Sequence, residues 1–435
     1  MSDRRDAVTP RLVFSTWWPL AASWLLMGFE LPAVSAVMAR LADPELSLAA
    51  YGGVVFPLAL IIEAPVIMLL AASTSLSRDW ISYRKLRRFV WTAAGVLTAL
   101  HLAVVLTPLW DLVVSRLLGI PDDVAERAWL GMLLMTPWSG SIAYRRFQQG
   151  VLIRQGYSRL VGIGTGIRLA ANFVVLAVGY WQQWPGIAVG SGAVAAGVLA
   201  EAFFIGVRVR PIRAELPAHD PEARPLTRRS FVAFYVPLAT TSLLTLLSLP
   251  LGSAAMSRMP LAVESLATWP VLNGLTFTLR SLGLAFHEVV VSLLDRPRSY
   301  HLLRRFALGL AASATLILAA IAATPLHQLW FRDISALPPE LVALGTSALW
   351  IALPLPALSV LQSWLSGILV NQHQTRGISE AVAVALAANG GALVAFVQWG
   401  GLDGLPAAVT STLLGLAVQT TWLTFRSRAA RARLR

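Results

Sequence analysis

Apolar residues in this chain come in long, nearly unbroken runs, not in the short alternations of half-buried elements. About twelve such runs can be followed, at roughly 12–39, 48–74, 89–110, 127–149, 157–181, 186–207, 230–257, 263–292, 306–330, 340–370, 377–399 and 403–425. Each exceeds the ~20 residues needed to cross the hydrocarbon of a bilayer. Inside lipid every backbone N–H and C=O must find a partner, which a helix supplies from its own segment. No run shows the ~10-residue alternation of barrel strands. The pattern therefore predicts an all-α polytopic membrane protein with about 12 transmembrane helices. The first run is too long for a signal-peptide core and lacks a small-residue cleavage site, so it is expected as a retained helix.

Composition agrees. The 435 residues are 56% hydrophobic and 13% charged, about half the ~25% charge of an ordinary soluble domain. Cysteine is absent, which excludes disulfides, thiolate metal sites and cysteine nucleophiles. The net charge of +13 acquires a meaning once it is mapped onto the segments. With the N-terminus inside, 28 of the 35 Lys and Arg fall in the tails and the even-numbered connections, 5 fall on the opposite side, and Arg168 and Arg280 lie within apolar runs. That bias predicts cytoplasmic termini in a plasma (inner) membrane. It also accounts for the basic charge through anionic lipid headgroups, without nucleic acid.

The two halves resemble each other at a spacing of 217 to 218 residues. Pro19–Leu20–Ala21 recurs as Pro237–Leu238–Ala239, and Leu31–Pro32 as Leu249–Pro250. Leu86–Arg87–Arg88–Phe89 recurs as Leu303–Arg304–Arg305–Phe306, and Leu169–Ala170–Ala171–Asn172 as Leu386–Ala387–Ala388–Asn389. Collinear matches of Pro, Arg and Asn are beyond what a Leu- and Ala-rich composition supplies. Six helices per repeat return the chain to its starting side, so the halves enter the membrane in the same direction, related by an axis along its normal. The expected domains are an N-terminal six-helix bundle at 1–207, a basic cytoplasmic linker at 208–229, and a C-terminal bundle with a basic tail at 230–435. Two parallel bundles with a cavity between them are a carrier architecture.

Trp18–Pro19–Leu20, Phe29–Glu30 and Leu48–Ala49–Ala50–Tyr51–Gly52 resemble, in order, the opening of the progressive ankylosis protein family. Gly150–Val151–Leu152–Ile153 and Tyr157–Ser158–Arg159–Leu160–Val161–Gly162 are similar to later motifs of that family, and Met256–Ser257–Arg258 with Trp269–Pro270–Val271 echo its second half. The resemblance implies a MATE-like fold in the multidrug, oligosaccharidyl-lipid and polysaccharide exporter superfamily. It further implies export of small organic anions such as citrate, nucleotides or pyrophosphate, and it carries Glu30 over as a polar intramembrane position. The rival major facilitator fold is disfavoured, because its Gly-x-x-x-Asp-Arg loop is replaced here by Ser77–Arg78–Asp79–Trp80.

Charges inside apolar segments are costly and point to function. Glu30, beside Pro32, reads as a coupling or gating carboxylate for a proton or sodium ion, or as the partner of a neighbouring basic residue. Glu63 and Arg280 occupy equivalent places in the two repeats and are expected to face each other across the cleft, either as a substrate site for an anion or as a structural bridge. Arg168, with Asn172 one turn on, is a second candidate anion contact, although Asn172 and its mate Asn389 also suit helix-to-helix bonding. His287 and Glu288 lie near the cytoplasmic end of their segment, as a relay or a solvated mouth. Arg145 and Arg146, with Gln148 and Gln149, are expected at the cytoplasmic rim, attracting an anion or snorkelling. Glu201 reads as a buried, protonated acid bonded to a neighbour, more than as a site.

Enzyme chemistry finds little support. The six histidines contain no His-Glu-x-x-His pair, and there is no Gly-x-x-x-x-Gly-Lys phosphate loop. No metal site and no cofactor are expected. The partners expected are a small anionic solute, membrane lipids and a coupling ion. A lipid-linked oligosaccharide flippase or a drug or cation exporter remain alternatives on the same architecture, and two intramembrane arginines weigh against a cation.

Overall fold

The computed structural model describes residues 8–219, 226–297, 299–372 and 374–434. All regular structure among these residues is helical. The principal helices are α1 (Pro10–Met38, interrupted at Phe29), α2 (Pro44–Leu76), α3 (Trp80–Leu106), α4 (Asp122–Leu134), α5 (Trp138–Arg154), α6 (Ser158–Trp181) and α7 (Gly186–Ala214). The second half supplies α8 (Arg228–Met256), α9 (Ala262–Leu293), α10 (Ser299–Ala323), α11 (Pro339–Ile351), α12 (Leu355–Asn371), α13 (Arg376–Trp399) and α14 (Gly404–Arg426).

Every one of the twelve apolar runs is helical. Eight helices among the described residues are long and apolar enough to cross a membrane, or nine if α11 and α12, bent by 42° at Ala352–Pro354, count as one span. The remaining runs fall short for visible reasons. The fourth divides into α4 and α5, of 13 and 17 residues, because the chain leaves the helix at Met135 ahead of Pro137. The eighth, α9, carries Glu264, Arg280 and Glu288, and the twelfth, α14, carries Gln419 and several threonines.

The repeat is written into the backbone. Non-helical turns take up positive φ at Asp43 (50°), Gly119 (69°) and Gln183 (53°), and their repeat mates Leu261 (54°), Ala336 (51°) and Gly400 (65°) do the same. A widened π-helical turn at Asp111–Leu117 has its counterpart at Leu329–Ile334. Close helix approaches are duplicated as well. A Cβ on Gly150 would meet Ser73 at 2.5 Å, and one on the equivalent Gly367 would meet Val290, the mate of Ser73, at 2.8 Å.

The packing boundary differs from the repeat boundary expected at 207–230. One compact unit comprises the chain up to Ala36 together with everything from Arg258 onward, and the other is Val37–Ser257. Within the first unit α1 packs on α9: the Trp17 indole donates to the Leu282 carbonyl at 3.0 Å, and Pro32 sits against Gly274. Within the second unit α8 packs on α2, where the Tyr235 hydroxyl donates to the Pro65 carbonyl just before the helix breaks at Met68. In the first case the missing Cβ of Gly274 leaves room for the Pro32 ring, and in the second the helix break at Met68 leaves the Pro65 carbonyl available to a neighbour. The expected linker is also shorter than 208–229, because α7 runs on to Ala214 and α8 opens at Arg228 behind a Thr227–Ser230 capping box. Its middle, 220–225, lies outside the described residues.

Candidate functional site

Helix α5 runs through the unit formed by Val37–Ser257, packed against α2, α3, α6 and α7. Its sequence is unusual for a lipid-embedded helix, with Arg145, Arg146, Gln148 and Gln149 in succession. Consecutive residues of a helix point about 100° apart, so this run aims polar groups at different neighbours. Arg145 and Gln149, one turn apart, both face α7. Arg145 pairs with the carboxylate of Glu201, and Gln149 Nε2 donates to Glu201 Oε1 at 2.8 Å. From α6, Arg168 brings its Nε to 3.8 Å from Glu201 Oε2. Glu201 is wholly buried and Arg145 is 5% exposed.

Arg146 faces a second carboxyl, that of Glu63 on α2. The charges that act most on Glu63 are those of Arg146, then Arg145 and Arg168, and Arg146 in turn feels Arg145, Glu63 and Glu201. Three guanidinium groups against two carboxyls leave one positive charge uncompensated in a buried cluster. Arg146 Nε and Gln148 Oε1 have no hydrogen-bond partner among the described residues, and the indole N–H of Trp138 is directed at the Glu63 carboxyl. Buried groups left in this way cost roughly 1–3 kcal/mol each, more when charged, unless water or a ligand completes them. Arg146 as a residue is half-buried, yet its guanidinium Nε is buried and has no hydrogen-bond partner. The arrangement can hold an anion.

The cluster assembles some of the expected residues and relocates others. Glu63 and Arg168 fall within it. Asn172, one turn from Arg168, is buried against Gly197 of α7, whose Cβ would meet Asn172 Cγ at 2.7 Å and the Arg168 carbonyl at 2.9 Å. Arg145 is spent on a buried ion pair, and α5 continues for nine further residues to Arg154. Glu201 is buried and bonded to neighbours, but as the partner of two guanidinium groups and not as the protonated acid expected, because the arginines of α5 and α6 reach it. The visible signal was a carboxylate deep in the 29-residue helix α7, matched by Gln419 in the repeat. The repeat mate of Arg145 is likewise neutral: Gln362 donates to the Leu416 carbonyl at 3.0 Å and to Thr420 at 3.2 Å on α14. The charge is therefore a property of one repeat and not of the shared scaffold.

The other expected residues have surroundings of their own in the first unit. Arg280 on α9 is half-buried with its Nε unpartnered, while its carbonyl accepts the Ser359 hydroxyl at 3.1 Å. His287 Nδ1 lies 3.1 Å from Ser366 Oγ, and Glu288 is exposed. Glu30 is half-buried where α1 resumes after Phe29. Glu63 and Arg280 thus belong to different compact units, and the charges acting on Glu63 are those of its own unit.

No family model matches the chain, and no curated relative does. Solved structures do. A multidrug resistance MATE family transporter of the MOP superfamily, in an inward-facing conformation, is similar over 96% of this chain and 98% of its own at a TM-score of 0.70 and 15% identity. The lipid II flippase MurJ, inward closed, is similar over 96% of this chain and 90% of its own at 0.69 and 12% identity. A MOP superfamily transporter from Pyrococcus furiosus, described by a reverse polarity of its binding pocket, covers 96% of each chain at 0.63 and 16% identity. This protein has the MATE transporter fold. At such identities the likeness speaks for the fold alone, and the chemistry has to come from this chain's own residues.

Proposed function

We propose that the protein is a membrane carrier that moves small organic anions by alternating access, driven by a gradient or by facilitated exchange. The observation that carries this reading is the buried cluster of Arg145, Arg146 and Arg168 against Glu63 and Glu201, with its one excess positive charge and its unpartnered polar atoms. A lone anion entering the cluster would balance that charge, whereas a cationic drug would add to it. In this reading Glu201 holds Arg145 and Arg168 in place, and Arg146 is the arm that meets the substrate. Glu63 competes with the substrate for Arg146 and so favours its release. Arg280 provides a second cation in the other unit, and Glu30 is the coupling carboxylate, taking up a proton or sodium ion. The resemblance to the progressive ankylosis family points the same way, to citrate, nucleotides or pyrophosphate as the substrates to try first.

Reconstituted protein tested for uptake of citrate, pyrophosphate and a nucleotide, beside a cationic dye, decides the matter. Uptake of at least one anion, reduced tenfold or more by Arg146→Gln, is the expected result. Dye uptake without anion uptake would overturn it. The similarity to the lipid II flippase supports a second reading, movement of a lipid-linked anionic headgroup, and scrambling of a fluorescent lipid-linked pyrophosphate in the same vesicles separates the two.

A further inference from the structure

Within the unit formed by Val37–Ser257, α3 and the start of α8 enclose a groove of about 610 Å³, lined by Lys85, Arg88, Phe89, Arg228, Phe231 and Val232 among others. Its two ends differ. One is cationic, with Lys85, Arg88 and Arg228. The other is apolar and aromatic, where Phe231 meets Phe89 edge-on at 4.7 Å and stacks on Tyr235 at 5.2 Å. No Asp or Glu is among the residues that line it. Lys85 donates one N–H to the Leu226 carbonyl at 2.8 Å, which fixes the ammonium at the mouth and leaves two donors. Arg88 and Arg228 form no ion pair among the described residues and are exposed, and Val232 is 53% exposed.

The position along the membrane matters as much as the charge. Residues 85 to 92 of α3 cover about 10 Å of helix axis, and the headgroup layer is only some 5–7 Å thick on each side of the hydrocarbon. A groove that begins at Lys85 near the start of a spanning helix therefore passes from the headgroup layer into the acyl region. Its charge pattern follows that passage, with basic residues first and aromatic ones after.

We infer that this groove is a built site for an anionic phospholipid, whose phosphate sits between Lys85, Arg88 and Arg228 and whose acyl chain lies along Phe89, Phe231 and Val232. Guanidinium groups take a phosphate through paired N–H donors, and the chain replaces water over apolar surface. Neither the carrier reading nor its substrate enters this argument. Lipid bound here would cover the α3–α8 contact, where α8, drawn from the second repeat, joins the unit of the first.

The test is native mass spectrometry of the full-length protein in detergent, titrated with phosphatidylglycerol, phosphatidylcholine or inorganic phosphate. Wild type should retain phosphatidylglycerol at least tenfold better than phosphatidylcholine, and inorganic phosphate should not displace it. The triple variant Lys85→Gln, Arg88→Gln, Arg228→Gln should lose roughly tenfold or more of that retention. A control triple, Arg208→Gln, Arg210→Gln, Arg213→Gln, at the basic end of α7, should keep it. Equal retention of both lipids, displacement by phosphate alone, or equal loss in both triples would overturn the proposal. Phe231→Ala, with the three basic residues intact, should also weaken retention, and an unchanged affinity would overturn the part assigned to the acyl chain. Thermal melting of each variant identifies any that fail to fold, and for those the single variant Arg88→Gln carries the same comparison.

Discussion

At the scale of single residues, Arg145 and Arg146 show how neighbours in sequence can divide the work. Arg145 is buried in an ion pair whose other half, Glu201, is wholly buried too. Removing one partner strands the other, which costs about 3–5 kcal/mol. Glu201→Ala is thus expected to lower thermal stability in detergent sharply, and Arg145→Ala, Glu201→Ala together should lose less than the two single changes added. Additive losses would mean that the pair contributes nothing beyond its parts. Arg146 faces the buried Glu63, so Arg146→Gln should lower the melting temperature, whereas Arg146→Gln, Glu63→Gln together should recover most of it while anion uptake stays low, and the two measurements separate substrate contact from support of the fold. The sequence made Glu63 and Arg168 visible because a charge in an apolar run is conspicuous. The ion pair of Arg145 was not legible, because a run of Arg and Gln looks the same whether it ends a helix or sits nine residues inside one. Which helix Glu201 would touch was not legible at all, since spacing along a chain carries no record of contacts between helices.

At the scale of elements, the tightest joint in the cluster's unit is α6 against α7, at Gly197. A Cβ there would run into the side chain of Asn172 and would come within 2.9 Å of the Arg168 carbonyl, backbone that cannot step aside. The second repeat keeps the joint between α13 and α14, where a Cβ on Gly415 would reach Asn389 Cβ and the Ala385 carbonyl, both at 3.0 Å. Asn172 and Asn389 are repeat mates, and each lies against a glycine of the neighbouring helix. Gly197→Ala is expected to destabilise by about 1–3 kcal/mol, and Gly415→Ala by less. Gly192→Ala, with nothing within 4 Å, should be neutral or slightly stabilising through helix propensity. Melting curves of the three variants rank them, and a neutral Gly197→Ala would show that the helices can part at no cost. Breaks such as the one at Met135, and the widened turn at Asp111–Leu117, had no clear mark in the hydrophobic pattern, since a run of apolar residues reads the same through a bend as through a straight span.

At the scale of the whole molecule, the repeat was legible because Pro, Arg and Asn recur in register. The exchange of α1 and α8 between the packed units was not, because a repeat records common descent of the two halves and not which surfaces they bury. What the repeat does fix is direction. Six segments per half return the chain to the same side, so equivalent loops must share a face of the membrane, and the bias of Lys and Arg decides which face. The absence of cysteine makes this directly measurable with single introduced cysteines and a reagent that does not cross lipid. Asp123 opens α4, and Asp333 sits in the turn ahead of α11 in the second half; both are exposed, as is Ala218 between α7 and α8. Asp123→Cys and Asp333→Cys should both label on intact cells, and Ala218→Cys only after the membrane is opened. If Asp123 and Asp333 label from opposite sides, the halves are inverted and not parallel. If all three patterns reverse together, the parallel repeat stands, but the basic connections face outward, and the positive charge of Arg84 to Arg88 would have to be explained by something other than orientation.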